Sequence, residues 1–179
     1  MPTKSTIFWG SESMALRRIA QLLAALTAHM SIDEHILVAT FLSPGEQRLF
    51  ERMPLFDRRH CLDVYHTLVR AGHTNPHLLR AALLHDCGKV DNNGRPIPLL
   101  YYGIFVVLKA LAPHLYQRAA EHGQGWLAPF AVHAVHDQRS ARMAEMVGSA
   151  PEVVAILEDY GDACSLPATQ LLAWADEQN

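Results

Sequence analysis

Cysteine is scarce in this chain. Cys61, Cys87 and Cys164 are the three in 179 residues, and no Cys-x-x-Cys pair occurs. An odd, scattered count argues against a disulfide framework and fits a reducing compartment. Runs of Lys or Arg are also missing, and the net charge is -3. That excludes a general polyanion-binding face, so no nucleic-acid polymer is expected as a partner; a nucleotide substrate stays open. No Gly-rich phosphate loop is present. The start of the chain lacks a charged region leading into an apolar core and a small-residue cleavage site, so a cytoplasmic protein is expected.

Long hydrophobic runs are lacking too. The most apolar stretch, LLYYGIFVVLKALAP at 99–113, contains Gly103 and Lys109 and is too short to span a bilayer comfortably. It reads as a buried core helix. A homodimer interface through 99–111 is the second reading, and a membrane-surface contact the third. No alternating strand pattern, internal repeat or low-complexity segment occurs.

What remains is helical grammar nearly throughout. Met14 to Met30 carries apolar residues at three- and four-residue spacing. Ser31-Ile-Asp-Glu34 and Ser43-Pro-Gly-Glu46 are capping-box patterns, predicting helices to about Phe41 and Met53. Asp57 can cap a helix from Arg58 to about Arg70. Asn75-Pro76 starts one that runs into His85-Asp86. Further helices are expected over 99–111, from Asp137 to about Val147, from Ala150-Pro-Glu to Tyr160, and from Ser165-Leu-Pro onward. About nine helices in one all-α domain account for the pattern.

The stretch LLHDCGKV at 83–90 sets an imidazole and a carboxylate side by side at the end of an apolar helix, then offers Lys89. Neighbouring residues on a helix point about 100° apart, but at a helix end both side chains can face one cleft. A divalent metal gives a reason to do so, since imidazole nitrogen and carboxylate oxygen suit Mn, Fe, Co, Ni or Zn. If the helix carrying His60 packs antiparallel to this one, His60 comes within reach of His85 and Asp86. Asp176, beside the apolar Leu171, Leu172 and Ala175, is a fourth candidate. A core histidine bonded to a carbonyl and a solvated Asp176 are the plainer alternatives.

RRHCLDV, then AALLHDCGKV, then LLAWADE together resemble the HD superfamily of metal-dependent phosphohydrolases. The resemblance covers about residues 50 to 179. It implies an all-helical HD domain over 49–179, with 1–48 as an N-terminal helical extension. It implies His60, His85, Asp86 and Asp176 as ligands of one divalent metal ion (Mn, Fe, Co, Ni, Zn or Mg). The implied reaction is hydrolysis of a phosphomonoester or phosphodiester in a small phosphorylated substrate, such as a nucleotide. Asp86 would bind metal and orient water, and Lys89 would neutralise phosphate charge. Arg59 is a further phosphate candidate. His136 matches an extra histidine of the cyclic-dinucleotide phosphodiesterase branch and is a candidate for the pocket. That branch's Pro-Glu-Ile-Gly and GYP hallmarks are absent, which favours a single metal. Some HD-like domains hold a ligand without turning it over, so a non-catalytic nucleotide- or ligand-binding module is the alternative function.

Overall fold

A computed structural model describes residues 28–91 and 93–179. The described residues form ten α-helices and no sheet. They are α1 (Ile32–Phe41), α2 (Pro44–Arg52), α3 (Leu55–Arg70), α4 (Pro76–Leu84), α5 (Leu99–Leu111), α6 (Pro113–His122), α7 (Ala128–Ala134), α8 (His136–Met146), α9 (Pro151–Tyr160) and α10 (Pro167–Gln178). No described helix is long and apolar enough to cross a membrane. Most of the helix expected over 14–30 lies outside the described residues.

Both serine capping boxes form. Ser31 Oγ accepts from the Glu34 N–H while the Glu34 carboxylate accepts from the Ser31 N–H, and Ser43 and Glu46 repeat the exchange. One departure from the sequence reading matters for the site. α3 begins at Leu55 after Pro54, not at Arg58, so Asp57 lies inside the first turn instead of capping it. It stays favourable near the positive end of the helix dipole. Its side chain is buried and turns inward.

The main core is built around α4, whose Leu78, Leu79, Ala81, Ala82, Leu83 and Leu84 are all buried. A helix buried over most of its residues belongs in the middle of a bundle. Each fully buried leucine contributes about 1.5–3 kcal/mol of transfer free energy. Around α4 pack Leu62 and Leu68 of α3, Ala141 and Ala144 of α8, Val153 and Leu157 of α9, and Leu172 and Ala175 of α10. Val38, Leu42, Leu49 and Phe50 belong to the same core. The 48/49 boundary expected between extension and domain therefore falls within α2, and the described part of the extension shares the domain's core.

A smaller cluster of Ile97, Phe105, Tyr116 and Phe130 joins α5 to α6 and α7. Here the sequence reading is corrected. On α5 only Phe105 is buried, while Leu100, Ile104, Val107 and Leu111 are exposed along one face. Apolar composition alone does not say which side of a helix finds a partner. A homodimer interface, the second reading of 99–111, would use this face.

Candidate metal centre

The end of α4 gathers the site. His85 closes that helix as its C-cap, and the chain turns through 85–88 instead of continuing. Ser140 of α8 holds this corner. Its Oγ donates to the His85 carbonyl at 2.6 Å and accepts the Gly88 N–H at 2.8 Å. Gly88 is required by the close approach, since a Cβ there would run into the His136 carbonyl and lie 2.7 Å from the Ser140 nitrogen.

His85 and Asp86 are buried at 1% and 2% exposure. His85 Nδ1 lies 2.9 Å from the Ala82 carbonyl, which can only accept, so Nδ1 carries the proton. Nε2 is then left with a lone pair, buried and without a hydrogen-bond partner. It points at Asp86 Oδ1, 3.6 Å away, and Asp176 Oδ1, 3.7 Å away. Three electron-rich atoms face one another with no proton assigned between them. Such a group is costly unless a cation joins it.

His60 enters from α3, packed beside α4. Its Nε2 lies 2.8 Å from Asp176 Oδ1 and 3.9 Å from Asp86 Oδ2. His60, His85 and Asp86 each offer one ligand atom within 4.8 Å of the others, a group that can hold a metal ion. Asp176 arrives from α10 and touches both imidazoles. The structure thus brings together all four residues that the HD resemblance assigns. His85 combines the two sequence readings, because its carbonyl-bonded ring is also the one that presents a free Nε2.

The charges respond to this crowding. Burial would raise the Asp86 carboxyl, but the positive charge of Lys89, with that of His60, holds it well below the usual range. Burial would likewise raise Asp176, yet the hydrogen bond from His60 keeps it low. Burial would lower His60, and its bond to Asp176 and the Asp86 charge push it up instead.

Lys89 Nζ donates to Asp86 Oδ2 at 2.6 Å. It also lies 3.9 Å from Asp57 Oδ1 and 5.5 Å from the centre of the Tyr102 ring. Tyr102 Oη donates to the other oxygen of Asp57 at 2.9 Å. His136 sits at the margin, with Nε2 3.6 Å from Asp86 Oδ1 and 3.1 Å from Asp137 Oδ1. Its Nδ1–H donates to the His133 carbonyl at 2.7 Å, and the two rings stack. Burial pushes His133 down to about 2, with help from the His136 charge, and its Nδ1 accepts from Tyr116 Oη at 2.6 Å.

Arg59 is not brought to the cluster. Its guanidinium pairs with Glu34 at 2.7 Å and Asp63 at 2.9 Å. His66 faces Glu34 as well, away from the ligands. Four residues around the site escaped the sequence reading as site residues: Asp57, Tyr102, Asp137 and Tyr160. The proximity of Asp137 to His136 is visible in sequence, whereas the other three are brought in by packing. A groove of about 610 Å³ between the starts of α4 and α10 is lined by Gly72, Asn75, Leu78, Leu166 and Leu171 among others. Its lining holds no acid, lysine or arginine, so the buried cluster is the better candidate for chemistry.

Comparison with protein-family models, with curated proteins and with solved structures yields no match.

Proposed function

We propose that the cluster is the metal centre of a phosphohydrolase acting on a nucleotide or a related small phosphate ester. The observation that carries this reading is the buried, unpartnered His85 Nε2 facing Asp86 and Asp176. Charge balance supports it. Asp57, Asp86, Asp137 and Asp176 surround the site, and Lys89 is the single lysine or arginine among the contacts described there. Two like charges 4 Å apart repel by about 4 kcal/mol at an effective dielectric of 20. A phosphate dianion would meet the same repulsion, so an anionic substrate needs a divalent cation at this place.

His60, His85, Asp86 and Asp176 would hold the ion, and their mixed nitrogen and oxygen donors suit Mn, Fe, Co, Ni or Zn. When bound, it would polarise a phosphoryl oxygen and lower the pKa of a water. The chain's own groups do the rest. Asp86 has a second oxygen with which to orient that water. Lys89 keeps its ammonium beside the cluster and neutralises charge on the phosphoryl group. The Ala82 carbonyl fixes the His85 tautomer, and Tyr160 fixes the Asp176 carboxylate.

The test is elemental analysis of protein purified without chelator or metal-affinity resin, followed by phosphate release from a panel of nucleotides and phosphate esters. About one divalent metal per chain with release from at least one ester supports the proposal. Metal without any release favours the ligand-binding module. No metal, even after soaking with Mn(II) or Ni(II), overturns both.

A further inference from the structure

Asp57 has no part in the ligand set, yet it is a buried carboxylate beside it. Its surroundings are unequal at its two oxygens. Oδ2 accepts from Tyr102 Oη at 2.9 Å, which fixes the plane of the group. Oδ1 faces the Lys89 ammonium at 3.9 Å, about 1 Å beyond an ordinary charge-assisted bond. The ammonium itself sits at 2.6 Å from Asp86 Oδ2. Lys89 therefore occupies one of two carboxylates that flank it, with the Tyr102 ring 5.5 Å away on a third side.

The occupied carboxylate is the one a metal needs. Asp86 faces His85 Nε2 with Oδ1 at 3.6 Å and His60 Nε2 with Oδ2 at 3.9 Å, so a cation between the two histidines lies against the whole carboxylate that holds the ammonium. A lysine ammonium and a divalent cation on that one carboxylate repel each other strongly. Lysine is suited to giving way, because its charge rides on a flexible four-carbon stem. It cannot simply lose its partner, since a buried, unpaired ammonium is costly.

We infer that Asp57 is the second seat of Lys89. When a divalent cation takes Asp86, the Lys89 side chain moves its ammonium from Asp86 Oδ2 to Asp57 Oδ1. Asp57 is thus a positioning residue that acts through Lys89, and Tyr102 keeps the seat aligned. The move requires no proton transfer. An ammonium has three N–H donors, so two remain for a phosphoryl oxygen once Asp57 takes one. This inference rests on the metal-centre reading above.

The deciding experiment is a crystal structure of the full chain soaked with Mn(II), with the anomalous signal locating the ion. Manganese bound by His60, His85 and Asp86, with Lys89 Nζ at hydrogen-bond distance from Asp57 Oδ1, is the expected result. Manganese there with Nζ still on Asp86, or turned to solvent, overturns the second seat and leaves the metal centre standing. No manganese at these residues overturns the metal centre itself. A Mn(II) binding series on folded variants gives an independent readout. Asp57→Asn is expected to weaken binding roughly tenfold in the wild-type background, and by less than about twofold when Lys89→Met is already present. Equal weakening in both backgrounds means that Asp57 acts by its charge alone and overturns the seat.

Discussion

Tyr160 and Asp176 meet at the end of α9 and in the last turn of α10, with Tyr160 Oη donating to Asp176 Oδ2 at 2.8 Å. That bond occupies one carboxylate oxygen and leaves Oδ1 turned toward His60 and His85. The Tyr160 ring also packs edge-on against His85, with centroids 5.9 Å apart. A single tyrosine thus orients two of the residues assigned to the metal.

Tyr160→Phe keeps the ring and deletes the bond. Removing an outer partner of a ligating carboxylate typically costs 10- to 100-fold in metal affinity. Mn(II) titration should show a loss at the lower end of that range, because the ring contact with His85 remains. An unchanged affinity would mean that Asp176 is held by something other than Tyr160.

Metal should also stabilise the wild-type fold. A ligand at 100 times its dissociation constant adds about 2.7 kcal/mol if it binds only the native state. Thermal unfolding with and without Mn(II) should show this rise in the wild-type chain. Asp176→Ala should abolish the rise while leaving the far-ultraviolet circular dichroism of the metal-free protein close to wild type.

Gly88→Ala tests the corner between α4 and α8. The added methyl meets the His136 carbonyl and lies 2.9 Å from Arg139 Cβ, backbone and side chain of a packed helix. Overpacking of this kind costs about 1–3 kcal/mol. Urea unfolding should show that loss. Metal affinity should fall with it, because the same shift moves His85 and Asp86.

Acid should loosen the contact between α1 and α3. Burial would raise the Glu34 carboxyl, but the Ser31 N–H and the Arg59 guanidinium bring it down to about 2 from 4.5. A carboxyl depressed in the folded state stabilises the fold above its unfolded value, and that stabilisation is lost as pH falls from about 4.5 toward 2. Partly solvated ion pairs contribute up to about 1 kcal/mol. Urea midpoints at pH 7 and pH 3 should therefore differ less for Glu34→Gln than for the wild-type chain.

The parts of the fold written locally were legible. Ser31 with Glu34, and Ser43 with Glu46, fix two helix starts within four residues each. The His85-Asp86 corner is local too, and with the HD pattern it pointed to His60 and Asp176. The region from Pro113 to Ala134 was not read as helical, although Pro113 stands at the first position of α6. Short helices with little periodicity leave a weak signal. Asp57 was read as a cap because it precedes a helical run, and its partner Tyr102 is 45 residues away on α5. Arg59 looked like a phosphate contact until α1 supplied Glu34 from 25 residues upstream. Residues whose roles depend on which helix docks beside them carry no mark of it in their own neighbourhood.

The bond between His60 and Asp176 closes across 116 residues of chain. A ribosome extends a polypeptide at about 5–20 residues per second, N-terminal part first. His60, His85 and Asp86 emerge early, and Asp176, the fourth member of the cluster, follows only seconds later, when α10 is made. During that interval α4 has no α10 to cover it and the cluster has no Asp176 to complete it. The nascent chain thus carries His60, His85 and Asp86 without Asp176, and an uncovered apolar wall beside them. Asp176 therefore arrives together with Leu172 and Ala175, the two residues with which α10 closes the core.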